Sequence, residues 1–188
     1  MKQIRIPPFL HDVFGEKQTT GSILTILLFG GILTAALYWV FPEMTNHLPA
    51  WRSAATLLLI FDIFSGCLAN FTASTSDFYA ARKTNRIVFI AIHFHIVLVA
   101  LLLQSDIRHS LAVWAYTMIS AFLVNALIDK RSQLFVAGLL LSAGLGFMPM
   151  LPGIPPYMLI ISLLFMLKVM FSFAVDHYGK ARHDSGEA

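Results

Sequence analysis

Residues 61–95 read FDIFSGCLANFTASTSDFYAARKTNRIVFIAIHFH, and this stretch decides the fold. Two apolar runs flank the basic segment at residues 82–86, a pattern typical of two membrane helices joined by a turn. The runs also carry polar side chains that are costly inside a bilayer, above all Asp62, His93 and His95. The stretch therefore predicts two adjacent antiparallel helices with a polar site between them.

The same alternation of apolar runs and short charged breaks extends along the whole chain. Of its 188 residues, 57% are hydrophobic and 12% are charged, against about 45–50% and about 25% in soluble domains. A helix of about 20 apolar residues crosses a hydrocarbon core roughly 30 Å thick. Runs of this length cover residues 21–41, 52–71, 87–104, 110–128, 133–151 and 157–175. The sequence predicts an all-α polytopic membrane protein, a six-transmembrane-helix bundle.

The flanking segments are short and polar. We expect residues 1–20 to form an N-terminal segment with a short stretch around Phe9 and Phe14 lying in the membrane interface. Residues 21–176 form the transmembrane domain, and residues 177–188 form a polar tail. The first apolar run is longer than the core of about 7–15 residues in a secretory signal, so we expect no cleaved signal.

Lysine and arginine predict the orientation of the bundle. Of the 13 such residues, ten lie on the face that carries both termini, while the opposite face has only Arg52 and Arg108. The positive-inside rule places both termini in the cytoplasm, in the plasma or inner membrane. Because the basic charge serves orientation, we predict no nucleic-acid partner. The predicted partners are the lipid bilayer, a small solute or a lipid, and a second copy or another membrane-complex subunit.

Asp62 lies about halfway through the second run. At about 100° per residue it shares one helix side with Ser65, Gly66 and Asn70. Small residues allow a neighbouring helix to approach closely. This side is therefore predicted to face the bundle, either for packing with one interhelical hydrogen bond or as a site that presents the Asp62 carboxylate.

The His-x-His pair of the third run resembles a metal motif, but helix geometry argues against that. Residues two apart point about 200° from each other on a regular helix, so one ion would not easily reach both. His93 shares its side with Arg86 and is predicted to face the polar interior, paired with Asp62 at similar depth. His95 is predicted to point elsewhere, either in a separate interhelical bond or at a second site on another surface.

The sixth run carries Lys168, Ser172 and Asp176 at a spacing of four. Lys168 either helps orient the helix or closes a polar cavity with residues of other helices. The candidate ligand- or proton-binding residues are thus Asp62, Asn70, His93, Asn125, Lys168 and Asp176.

Three functions remain open from the residues alone. The first is binding or translocation of a small solute or protons through a polar pocket built on helices two, three and six. The second is a metal-dependent enzyme acting on a lipid, in which Asp62, His93 and His95 hold a transition metal. The third is a non-catalytic assembly subunit. The single cysteine, Cys67, forms no intrachain disulfide and is predicted to be a packing residue.

Overall fold

The computed structural model describes residues 3–179. Six of its helical segments are long and apolar enough to cross a membrane, which confirms the six-helix bundle. Of the predicted tail, residues 177–179 are described, whereas residues 180–188, which include Lys180 and Arg182, lie outside the described residues. The spans are α2 (Thr20–Val40), α3 (Ala50–Ala69), α5 and α6 (Lys83–Ala91 and His95–Leu103), α7 (Ile107–Ala126), α8 (Gln133–Phe147) with a 3₁₀ turn (Met148–Met150), and α9 (Pro156–Met166) with a π-helical end (Leu167–Phe173).

Local signals explain where several spans begin and end. The Thr19 side chain caps α2 by accepting a hydrogen bond from the Ser22 backbone N–H. The helix ends before Pro42, and α3 begins directly after Pro49. Proline suits these positions because it lacks the N–H that a continuing helix would require.

The N-terminal segment folds into a small cap. Strands β1 (Gln3–Arg5) and β2 (Lys17–Thr19) pair antiparallel around a 3₁₀ turn (Pro8–Leu10) and helix α1 (His11–Phe14). Gly15 makes the reversal possible with a φ of 71°, and a Cβ there would lie 2.2 Å from the Ser74 Oγ. Three-residue strands are too short to show the alternating pattern that identifies a strand.

The predicted basic turn is mostly the start of a helix. An additional short helix, α4 (Ala73–Ala80), follows α3, and α5 already begins at Lys83. Arg86 therefore lies in the first turn of α5, where it is only 4% exposed. The sequence predicts Arg86 to be an orienting charge of the turn, whereas in the structure it is a buried residue of the bundle.

Two spans contain irregular backbone. The third is interrupted between α5 and α6 at residues 92–94, and the sixth changes from α- to π-helix at Leu167. At membrane depth such backbone is tolerated only where protein surrounds it or where it lines a cavity. Both irregular segments contribute residues to the same groove beside α3, which is described below.

Candidate functional site

The ion pair between Asp62 and Lys168 joins α3 to the π-helical end of the sixth span. Lys168 Nζ lies 2.7 Å from Asp62 Oδ2 and donates a second hydrogen bond, of 3.1 Å, to the Asp62 backbone carbonyl. The Lys168 side chain is 4% exposed and that of Asp62 is 45% exposed. The carboxylate is therefore the more accessible partner of the pair. It supplies the counter-ion that a lysine within a membrane span requires.

Gly66 makes room for this pair. It lies one turn after Asp62 on α3, and a Cβ at this position would be 2.4 Å from Lys168 Cε and 2.8 Å from Nζ. Because the Lys168 chain is enclosed, it has little space in which to move aside. Gly66 thus leaves the space that the Lys168 side chain occupies beside α3.

We expect Gly66→Ala to destabilise the protein by about 1–3 kcal/mol, the usual cost of overpacking a tight interior. Gly138→Ala is the matched control, because a Cβ at Gly138 meets no atom within 4 Å and alanine favours a helix over glycine. Thermal unfolding of both variants in the same detergent provides the measurement. Equal melting temperatures for the two variants would contradict the role assigned to Gly66.

The two histidines of the third span lie close together, contrary to the prediction that they point apart. Their ring centroids are 5.0 Å apart, and His95 Nε2 lies 3.9 Å from Asp62 Oδ2. The prediction assumed a continuous helix, whereas the chain leaves helical geometry after Ala91 and resumes it at His95. His95, rather than His93, therefore makes the close approach to Asp62.

A side-chain hydrogen bond accompanies this interruption. His93 Nδ1 bonds the Phe89 carbonyl, the acceptor that the His93 backbone N–H would use in a continuous α-helix, and that N–H bonds Ile90 instead. A carbonyl only accepts, so Nδ1 carries the proton, and Nε2 of the neutral ring is an acceptor. His93 thereby has a defined tautomer.

These residues lie along a groove of about 390 Å³, here called the polar groove. Its lining residues are Asp12, Val13, Asp62, Tyr79, Asn85, Val88, Phe89, Ile92, His93, His95 and Lys168. The Tyr79 hydroxyl donates to the Asp12 carbonyl, and burial, followed by the negative charge of Asp12, raises the pKa of the Tyr79 phenol. Tyr79 thus remains a neutral donor that ties the N-terminal cap to α4.

Three further side chains hold α3 against the last span. Asn70 Nδ2 donates to the Lys168 carbonyl at 3.4 Å, and Ser172 Oγ donates to the Cys67 carbonyl at 2.7 Å. Cys67 Sγ lies 3.2 Å from the Leu164 carbonyl. Asn70, predicted as a binding residue, supports the Lys168 backbone and is absent from the lining of the polar groove.

Asn125 and Asp176, two of the predicted binding residues, line a different pocket from Asp62, His93 and Lys168. Arg86 Nε donates to Asn125 Oδ1 at 2.8 Å, and Arg86 Nη2 donates to the carbonyls of Phe173 and Ala174 at 3.0 and 2.8 Å. Asp176 accepts a hydrogen bond of 3.5 Å from Ser76 Oγ. Arg86, Asn125 and Asp176 all line a second pocket of about 550 Å³.

Sequence reasoning missed the structural part played by Arg86 and by Gln133. Gln133 is also buried, and its side-chain amide donates to the carbonyls of Val124 and Ala174. A signal existed for Arg86, since it shares a helix side with His93. None existed for Gln133, which begins α8 and looks like an ordinary polar helix start.

The predicted metal ligands do not converge. Within residues 3–179, no three histidine, cysteine, aspartate or glutamate side chains are placed to hold a metal ion. Asp62, His93 and His95, the residues predicted to hold a transition metal, are neighbours in the structure.

No protein-family model, curated protein or solved structure matches this chain. Its class follows from the fold alone. The chain is a multi-pass membrane protein with six spans. Its distinguishing feature is an Asp–Lys pair, approached by a histidine, at a polar groove between irregular membrane helices.

Proposed function

We propose that the protein binds a small solute in the polar groove and exchanges protons there, so that it translocates the solute or protons across the membrane. One observation carries this proposal. A single carboxylate oxygen, Asp62 Oδ2, lies 2.7 Å from Lys168 Nζ and 3.9 Å from His95 Nε2. Two basic groups therefore compete for one acid within the membrane, an arrangement suited to proton transfer.

Because Lys168 and His95 share one oxygen of Asp62, protonation of His95 changes how strongly Asp62 holds Lys168. While His95 is neutral, the ammonium of Lys168 neutralises Asp62. A proton on His95 adds a second cation beside the same oxygen, which strengthens the His95–Asp62 contact and weakens the hold on Lys168. The net charge around Asp62 in the polar groove thus depends on the protonation of His95. This dependence couples proton transfer to the binding of a solute in the groove.

The irregular backbone supports movement at this site. His95 is the first residue of α6, directly after the interruption, and Lys168 lies in the π-helical segment. π-helical turns are frequent at functional sites, and discontinuous membrane helices commonly form the solute and ion sites of transporters. Both basic partners of Asp62 are therefore carried by backbone that departs from a regular α-helix.

We also propose that both termini lie in the cytoplasm of a cell membrane, from the excess of lysine and arginine on that face. Asp12 and Asn85 line the polar groove near the end where α5 begins. In this orientation the groove reaches the cytoplasmic side.

The test is proton flux into vesicles that contain the purified protein and an internal pH dye, after an imposed pH gradient. We expect flux above that of empty vesicles, and at least a tenfold lower protein-dependent rate for Asp62→Asn, which keeps an acceptor oxygen for Lys168. Glu43→Gln is the control, since it removes an exposed carboxylate in the loop between α2 and α3. Wild-type flux no faster than empty vesicles, or an unaffected Asp62→Asn, would refute the proposal.

A further inference from the structure

The polar groove presents its charges unequally. The ammonium of Lys168 is almost completely enclosed, and both of its hydrogen bonds described above go to Asp62. The Asp62 side chain is 45% exposed and lies in front of it. A molecule entering the polar groove therefore meets the carboxylate before it meets the cation.

Two of the side chains that line the polar groove, Asp62 and His93, carry hydrogen-bond acceptors. Asp62 offers carboxylate oxygens, which only accept. His93 offers Nε2 as an acceptor, because its Nδ1–H is committed to the Phe89 carbonyl. A ligand that satisfies both groups must bring N–H or O–H donors.

The remaining lining adds negative charge and apolar surface. Asp12 is a second, exposed carboxylate, and Lys168 is the only lysine or arginine among the lining residues of the polar groove. With neutral histidines, two carboxylates and one ammonium leave one net negative charge. Val88 and Ile92 provide exposed apolar walls between the two ends. The volume of about 390 Å³ falls within the usual range for small-molecule pockets.

We infer that the solute of the polar groove is a small organic cation, a primary ammonium group on a compact apolar body. The ammonium donates to Asp62 and to His93 Nε2, and the apolar body lies against Val88 and Ile92. While the histidines are neutral, one positive charge on the ligand neutralises the net charge of the lining, and its N–H donors suit the acceptors of Asp62 and His93. This inference rests on the proposed function, because it names the class of solute for the same site.

The test uses three probes of one shape at pH 7: benzylamine, which is a cation, benzyl alcohol, which is neutral, and benzoate, which is an anion. Thermal unfolding of the purified protein is followed as each probe is titrated. We expect benzylamine alone to raise the melting temperature. At each benzylamine concentration [L], the free energy of unfolding should increase by RT ln(1 + [L]/Kd), where Kd is the dissociation constant of benzylamine. The rise should disappear in Asp62→Asn and persist in Glu43→Gln.

Each alternative result has a definite meaning. Stabilisation by benzoate instead of benzylamine would overturn the inference and indicate that Lys168 receives the ligand. Equal shifts in wild type and Asp62→Asn would overturn it as simple partitioning into the protein–detergent surface. If none of the three probes raises the melting temperature while the proton flux is normal and depends on Asp62, the solute is not an organic cation of this kind. The proposed function would then remain intact. If the wild-type protein shows no proton flux but benzylamine raises its melting temperature in an Asp62-dependent way, proton transport is refuted and binding of an organic cation is supported.

Discussion

Asp62→Leu is expected to lower the free energy of unfolding by about 3–5 kcal/mol, more than any other single change at the site. Removing one partner of a buried ion pair leaves the other charge uncompensated in a poorly solvated place. Here the stranded group is the Lys168 ammonium, whose side chain is only 4% exposed. The asymmetry of exposure within the pair makes the acid the more critical partner.

Lys168→Met is expected to cost less, about 1–2 kcal/mol, because the Asp62 carboxylate that it strands is 45% exposed at the polar groove and is not enclosed by protein. The double variant Asp62→Leu/Lys168→Met should recover most of the loss seen in Asp62→Leu, since it leaves neither charge alone. Chemical unfolding in mixed micelles measures all three. A double variant as unstable as the sum of its two singles would show that the pair does not interact as described.

Arg86→Met is expected to cost about 3–4 kcal/mol. Its guanidinium donates to Asn125 and to the carbonyls of Phe173 and Ala174, where the last membrane helix ends. Hydrogen bonds from a charged donor contribute about 1.5–3 kcal/mol each, and buried carbonyls that lose a partner carry a desolvation cost. Positive charge at a helix C-terminus is also favourable.

Arg82→Met is the matched control for this prediction. Arg82 is only four residues away, but its side chain is 38% exposed and its ion pair with Glu16, at 2.7 Å, lies on the surface. Such pairs contribute about 0–1 kcal/mol.

Arg86→Lys should not restore the stability lost in Arg86→Met, because an ammonium lacks the planar fork that reaches three acceptors. A loss in Arg82→Met equal to that in Arg86→Met would contradict the assignment.

The Arg86 contacts matter for the groove through the last span. Arg86 secures the chain at Phe173 and Ala174, one to two turns beyond Lys168 in the same segment. Asn70 and Ser172 hold the intervening part against α3. Contacts at Lys168 and on its C-terminal side thus help to fix its position, so its contact with Asp62 does not depend on the ion pair alone.

The interruption in the third span illustrates what periodicity misses. Residues 91–95, Ala-Ile-His-Phe-His, contain neither proline nor glycine, the residues that usually mark a break. The break accompanies a side-chain hydrogen bond from His93 to Phe89. A regular helix would have placed His93 and His95 on nearly opposite sides, and the prediction for His95 failed for that reason.

The sequence by itself determined the six spans, because a run of about 20 apolar residues has the length that a helix needs to cross a bilayer, and a helix satisfies its own backbone hydrogen bonds there. It also identified the polar residues in need of partners, since the cost of charge in a membrane is local to each residue. Only the tertiary structure decided the partners: Lys168 with Asp62, Arg86 with Asn125, and His95 beside Asp62. Periodicity gives the side of a helix a residue occupies, but the neighbour on that side depends on how all six helices pack together.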